Sequence, residues 1–294
     1  MPARIDDLLV LNANLNKTDF AKYLRDREAV LPTDFGCLGD GVANDRTAIQ
    51  SCFDRAAADG KFAIIPPGTW NVGSGVTLGG GARGLIMRGI IRYTGATNAP
   101  ATVLTLGDGG TTRNGEKLYA GLQVVRQIQP DWASEADIGI LARNIDAVVV
   151  ERRLVLGFTI GMRTLGDGRG VEDSTLHLLR ILNNRYGLYI RAETATAWNT
   201  SIRYYGGRLA CATGINPTID RYGVRFSRGA GGYTNHNRHV FDGPNIELRQ
   251  LDPNVAIPPP ERDGRHRDHR PRAAHGSLLG HRGTAQRGRH QLRV

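Results

Sequence analysis

Thr33-Asp-Phe-Gly-Cys-Leu-Gly-Asp-Gly-Val-Ala-Asn-Asp-Arg-Thr-Ala-Ile-Gln50 is the stretch on which the reading of this chain turns. Gly36, Gly39 and Gly41 punctuate a loop. Asn44 or Asp45 can then cap a helix predicted over 45–59. Within it Ala48, Ile49, Cys52, Phe53 and Ala56 fall on one helical face, so that face is expected to be buried. Gly60 stands where a helix commonly ends in a left-handed residue. Phe62-Ala-Ile-Ile65 follows as a buried strand, and Pro66-Pro-Gly-Thr-Trp70 turns the chain into the next one. Asp40 and Asp45 belong to loop geometry and capping in this reading, not to catalysis.

Beyond this stretch the chain repeats itself. A glycine followed by apolar alternation recurs as Gly139-Ile-Leu-Ala, Gly161-Met-Arg-Thr, Gly187-Leu-Tyr-Ile and Gly223-Val-Arg-Phe. A second series keeps step: Val148-Val-Val150, Leu176-His-Leu178, Ile202-Arg-Tyr204, Val240-Phe-Asp242. A third follows each of these: Leu154-Val-Leu156, Leu179-Arg-Ile181, Gly207-Arg-Leu209, Ile246-Glu-Leu248. Three short strands per repeat describe a coil whose side chains alternate between inside and outside. Asn183-Asn184 and Gly206-Gly207 supply tight corners. One coil cannot bury its inner face, so stacked coils must build the core. At about 22–28 residues per coil, residues 61–250 make roughly seven coils, about 35 Å long at ~4.8 Å per strand.

The ordered loop, helix, strand and Pro-Pro-Gly-Thr turn of residues 33–70 resemble the opening of pectate-lyase-superfamily proteins. The resemblance implies an all-β fold: a right-handed single-stranded parallel β-helix, or solenoid, with an N-terminal capping α-helix. It divides the chain into a leader at 1–32 with a short helix from Thr18, a β-helix domain at 33–252 and a tail at 253–294. Trp198-Asn-Thr-Ser-Ile-Arg-Tyr-Tyr-Gly-Gly-Arg-Leu209 and Asn237-Arg-His-Val-Phe-Asp-Gly-Pro-Asn-Ile-Glu-Leu248 resemble coils of bacteriophage tailspikes and related prophage proteins, with departures at Ser201 and Arg203. That second resemblance implies a protein that binds bacterial surface polysaccharide and depolymerises it where it is active, as a glycoside hydrolase or polysaccharide lyase. It implies a homotrimer, phage tail or baseplate proteins as partners, and a place in the virion tail after cytoplasmic synthesis. The alternatives are a polysaccharide lyase or glycoside hydrolase secreted by a non-Sec route, and a truncated, non-functional remnant of such a gene.

Composition narrows the classes further. The longest apolar runs are four residues, far below the ~18 that a membrane-spanning helix needs, so no membrane insertion is expected. Asp6 and Asp7 stand where a signal peptide carries only positive charge. Cys37, Cys52 and Cys211 are scattered, which argues against a disulfide framework or a zinc site. The net charge of +10 suggests nucleic acid. Yet nine Arg and three acids between Glu261 and Val294 supply more than half of it, so no nucleic-acid partner is expected. This tail has five of the eight His and no Lys, and no aromatic follows Phe241. It is expected to be disordered, and its composition is what a GC-rich gene yields out of frame, so a frameshift or truncation after about residue 252 is the expectation.

Candidate site residues follow from stacking. Glycosidases need two carboxyls ~5–9.5 Å apart, and a solenoid brings acids together when they share an offset on adjacent coils. Asp167 lies six residues after Gly161 and Glu193 six after Gly187, with Glu172 and Asp173 in the same turn. Asp167, Glu193 and Asp173 are therefore the catalytic candidates, and repulsion is expected to raise the pKa of one member of the stacked pair. Trp198, Arg203, Tyr204 and Arg208, beside Tyr205, are the substrate-binding candidates, since rings cover sugar faces and arginines bond hydroxyls or acids. The N-T-D, D-D, G-H-G and R-I-K clusters of polygalacturonases are missing from the body. His236 and His239 lack a third ligand and should alternate to opposite faces, so neither metal nor other cofactor is expected. Phe226 and Val240 are expected on outer faces, where trimerisation would cover them.

Overall fold

The computed structural model describes residues 28–211, 219–229 and 236–248. The helix expected in the leader and the whole tail at 253–294 lie outside the described residues. Every strand pairing among the described residues is parallel. One long sheet stacks Ala29–Val30, Phe62–Ile65, Gly84–Met87, Leu118–Arg126, Val149–Leu156, Thr175–Leu178, Arg203–Tyr205 and Val240–Asp242 in chain order. A second sheet does the same with Val76–Leu78, Thr102–Leu106, Ile138–Arg143, Ile160–Gly166, Tyr186–Ala192 and Tyr222–Arg228. A third, narrow sheet stacks two-residue strands: Asn114–Gly115, Ile145–Asp146, Val171–Glu172, Asn199–Thr200 and His236–Asn237. The chain visits the sheets in turn, and from Asn114 onward it lays a strand on each of the three per circuit. It is a parallel β-helix.

The first two sequence series are the second sheet and the long sheet. The third series is not a separate side. Arg180–Leu182, Arg208–Cys211 and Asn245–Leu248 form an arm of the long sheet, and Leu154-Val-Leu156 simply continues the strand Val149–Leu156. The true third side is the narrow sheet, whose strands are too short to show a period of two.

The repeated glycines have a steric reason. Ile140, Met162, Leu188 and Val224 lie in one register column of the second sheet, and all belong to or pack on the core. The glycine before each faces a side chain of the arm that follows it in the chain. A Cβ there would lie 2.7 Å from Val155 Cγ1 at Gly139 and 2.7 Å from Ile181 Cγ2 at Gly161. It would lie 2.8 Å from Leu209 Cδ2 at Gly187 and 2.5 Å from Ile246 Cγ2 at Gly223. The first and third series are thus one contact repeated: each glycine makes room for the apolar residue that fills the adjoining corner.

The helix Arg46–Asp59 buries Ile49, Cys52, Phe53 and Ala56, as its spacing predicts, and ends at Gly60 in the left-handed region. Cys52 Sγ reaches the Val30 carbonyl (3.3 Å) and Gln50 donates to the Thr77 carbonyl (2.8 Å), which seats the helix against the first strands. Asp40 accepts the Val42 and Ala43 amides, and Asp45 accepts the Leu38 amide, so both carboxylates organise the loop.

At the far end Phe226 corrects an expectation. It pairs in register with Ile190, in the column of Thr164 and Ala142, so it points inward. It is exposed because no described strand stacks beyond Tyr222–Arg228. Val240 does face outward, in the column of Val149, Thr175 and Arg203. His236 and His239 also do not diverge. Their rings lie 6.3 Å apart and both contact Phe226, because the strand stops at Asn237 and Arg238 turns with φ 52°.

Burial, with His236 beside it, pushes His239 down from 6.5 to about 4, and burial lowers His236 as well. The native imidazoles stay neutral while the unfolded chain takes up protons below pH 6.5, so stability falls as pH drops from 6.5 towards 4. The thermal midpoint should decline across that window, and His236→Gln with His239→Gln should flatten the decline. An unchanged pH profile in the double variant would assign the acid lability to other groups.

Candidate functional site

The outer face of the second sheet carries a column of arginines and tyrosines. Two residues after each repeated glycine stand Leu141, Arg163, Tyr189 and Arg225, side by side in register. Strand alternation points them away from the core. The Arg163 guanidinium lies over the Tyr189 ring at 4.8 Å, and Arg225 lies over Tyr186 at 4.8 Å and Tyr189 at 5.3 Å. Tyr186 stacks on Tyr189 and on Tyr222. The ladder's own Leu141 and Tyr189 form, with Ile138, Ile160 and Tyr186, an apolar cluster on this face, separate from the core. Burial lowers the pKa of Arg163 and raises that of Tyr186.

The segment that precedes Ile138 folds across this face. Tyr189 donates to Glu135 Oε2 (2.9 Å), Arg225 donates to Glu135 Oε1 (3.2 Å) and Arg163 donates to the Glu135 carbonyl (3.0 Å). Arg185 bonds the carbonyl of the fully buried Trp132, whose ring lies under Arg221.

Further along the same strands come Arg143, Leu165, Arg191 and Ser227, again in register. The catalytic candidates follow. Gly166 pairs with Ala192 and the Glu193 amide donates to the Gly166 carbonyl (2.8 Å), so Asp167 and Glu193 occupy neighbouring coils at the same offset. Each carboxylate is held by an arginine. Arg143 pairs with Asp167, and Arg191 grips Glu193 with two bonds of 2.5 and 3.1 Å. The Arg191 bonds hold Glu193 below the usual carboxylate range, and Asp167 pushes it only weakly the other way. That is the reverse of the elevated value a proton donor requires, and the cause is the partner two residues away on the same strand.

Asp173 sits apart, exposed, at a corner with φ 46°. Its neighbour Glu172 is the engaged acid: Arg113 bridges it to Asp146, and Trp198 Nε1 donates to it (3.1 Å). Trp198 is half-buried and its indole lies flat on Gly170, where a Cβ would come within 2.1 Å of Nε1. Its backbone passes Gly166, so Trp198 shares a corner with Asp167 and Glu193. The other substrate-binding candidates do not join them. Arg203 is exposed on the outer face of the long sheet, and Arg208 on its arm pairs with Glu247 (2.5 Å). Tyr204 is a correction: its side chain is fully buried inside the coils and stacks on Phe241 at 4.5 Å, because Arg203 takes the outward position before it. Tyr205 is the ring that faces out, stacked on His177.

Sequence reasoning passed over Arg163, Tyr189 and Arg225, although their signal was in view. They share the offset of two from the same glycines whose offset of six picked out Asp167 and Glu193. Among the described residues no group of three His, Cys, Asp or Glu side chains is placed to hold a metal ion.

No protein-family model matches the chain. Over 81 residues it is 40% identical to the mannuronan C5-epimerase AlgE6 of Azotobacter vinelandii, a match covering 27% of this chain and 9% of that protein. Among solved structures, ORF18 of Geobacillus virus E2 aligns with a TM-score of 0.49 at 18% identity, over 82% of this chain and 45% of the other. The surface protein and adhesin PfbA of Streptococcus pneumoniae aligns with 0.45 at 13% identity, over 76% of this chain and 64% of the other. The chain thus spans about a tenth of the curated relative and less than half of the viral protein.

Proposed function

We propose that this chain is a right-handed β-helix protein of the pectate-lyase superfamily, closed at its N-terminal end by the helix Arg46–Asp59, that binds an acidic bacterial surface polysaccharide. The proposed binding face is the outer face of the second sheet with the Trp198 corner. The observation that carries this is the register-matched column of Arg163, Tyr189 and Arg225 on successive strands, with Arg191 two residues beyond Tyr189 on the same outer face. Arg225 and Arg191, 36% and 23% exposed, are the arginines of this face that a polymer along the solenoid axis can reach, and guanidinium forks match carboxylates. The partial match to an epimerase of mannuronan, an acidic polysaccharide, supports the substrate class. The tailspike-like coils at 198–209 and 237–248 support a phage tail component, in the virion, as a homotrimer with tail or baseplate partners.

Binding of acidic and neutral bacterial polysaccharides by the whole chain tests the proposal. Arg191→Ala and Arg225→Ala should each weaken binding of an acidic polysaccharide about 10-fold or more, the worth of one charge-assisted bond. Arg203→Ala and Arg208→Ala, on the long sheet and its arm, should leave it unchanged. The reverse pattern would move the glycan to the long sheet.

A second reading, glycoside cleavage by Asp167 and Glu193, is favoured by their shared offset on adjacent coils. It requires one carboxyl to hold a proton, and the Arg191 fork opposes that in Glu193. Loss of depolymerisation in both Asp167→Asn and Glu193→Gln, with binding retained, would support this reading. Full activity in both variants would end it, and would place Asp173 or another acid next in line.

A further inference from the structure

Arg152 is a charge that the packing of the coils leaves unanswered. It points inward from the strand Val149–Leu156 and is completely buried. In register it stands between Leu122 and Leu178, both equally enclosed. Its Nη1 donates to Met162 Sδ, a weak acceptor, while Nε and Nη2 have no partner. No carboxylate pairs with it among the described residues. Burial pushes its pKa down to about 9, so the guanidinium still carries its charge at neutral pH.

Two hydroxyls share this interior. Tyr204 Oη and Thr164 Oγ1 are buried, with no partner beyond one another. Tyr204 points inward from the same sheet as Arg152, in the neighbouring inward column of Val150 and Leu176, and Thr164 points inward from the second sheet two residues beyond Met162, which Arg152 touches, so the three groups project into one stretch of the interior. Burial drives the phenol pKa upward, which keeps Tyr204 a neutral donor and not a counter-charge. The set is one fixed positive charge, two spare N–H donors and two hydroxyls, enclosed by Leu122, Leu178 and Met162. A buried uncompensated charge is among the most expensive features a core can carry. Water would satisfy the donors and leave the charge.

We infer that the solenoid encloses a single halide ion, chloride in ordinary solution, between Arg152, Thr164 and Tyr204. A monatomic anion accepts from donors in any direction, which suits hydroxyls and a guanidinium arriving from three different strands. It neutralises Arg152 without an acid in the sequence. The site lies inside the coils, so it is distinct from the proposed glycan face and stands or falls independently of it.

The test uses the whole chain, refolded in sodium bromide so that an enclosed ion exchanges, then crystallised. An anomalous bromide peak within hydrogen-bond reach of Arg152 Nε or Nη2 supports the inference. Its absence there overturns it. In parallel, the thermal midpoint should rise by several degrees with chloride over gluconate at equal ionic strength, saturating as a single site does. Arg152→Met should lose that dependence. Should Arg152→Met fail to fold, Tyr204→Phe keeps the ring and removes one donor. The chloride concentration for half-maximal stabilisation should then rise about 5–10-fold, the worth of one hydrogen bond. A wild-type midpoint indifferent to the anion, or an unchanged half-maximal concentration in Tyr204→Phe, counts against the site.

Discussion

Gly207→Ala is expected to cost at least about 4 kcal/mol, beyond the range of ordinary substitutions. Gly207 has φ 88° and turns the chain from the strand Arg203–Tyr205 into Arg208–Cys211. A Cβ built there would fall 1.0 Å from the Leu178 carbonyl oxygen and 2.1 Å from its carbon. Those atoms are backbone of the coil below and have no rotamer to escape into. The corner is pinned from both sides: the Arg208 amide bonds the Leu179 carbonyl (2.8 Å), and the Asn245 amide bonds the Gly207 carbonyl (2.8 Å). Relief therefore means parting two coils. Gly206 is the internal control. It is also left-handed, with φ 54°, yet nothing lies within 4 Å of its Cβ position. Gly206→Ala should lose only the ~1–2 kcal/mol of a left-handed alanine. Urea unfolding of the two variants side by side checks this. Equal losses would mean that the coils yield at this corner, and the steric account would fail.

The same pair shows what the sequence can and cannot say. Gly206-Gly207 reads as a corner from composition alone, but nothing in the string distinguishes the glycine that is merely turned from the one that is also crowded. The glycines at 139, 161, 187 and 223 set the register of the second sheet, because one contact with the arm that follows recurs on these four coils. That register carried the Asp167–Glu193 stacking, and it carried Arg163, Tyr189 and Arg225 equally well, unused. Tyr204 was misplaced by a single step of alternation. A tyrosine beside arginines looks like a sugar platform, and only its column, shared with Leu176 and Val150, shows that it faces in. The narrow sheet escaped because two residues have no period. The arginine partners of Asp167 and Glu193 escaped for another reason: which neighbour a side chain reaches, along its strand or on the next coil, is settled by rotamers, which a string of residues does not record.

Arg126 and Asp137 are the clearest case of chemistry hidden from the sequence, and Asp137→Ala carries the other large expected effect. The two side chains are paired in the interior, almost wholly shielded from solvent. Arg126 also donates to the carbonyls of Ala96, Thr97, Ala99 and Ile128, and lies over the Tyr93 ring. Asp137 Oδ2 accepts the buried Thr159 amide (2.8 Å). Removing the carboxylate leaves a buried guanidinium with dipoles but no counter-charge, and orphans the Thr159 amide. Breaking such a pair from one side costs about 3–5 kcal/mol. Asp137 also fixes the segment that brings Glu135 onto Tyr189, Arg163 and Arg225, so the alanine variant should bind glycan more weakly as well. Glu135→Gln separates these effects. Glu135 is partly exposed, so this change should alter glycan affinity while leaving unfolding close to wild type. Arg126→Met combined with Asp137→Leu removes both charges and should recover part of the stability lost in Asp137→Ala, since an apolar pair owes no desolvation. If Asp137→Ala unfolds within about 1 kcal/mol of wild type, water reaches this pair in solution. The proposed binding face would then have to be held by the Tyr–Arg ladder alone.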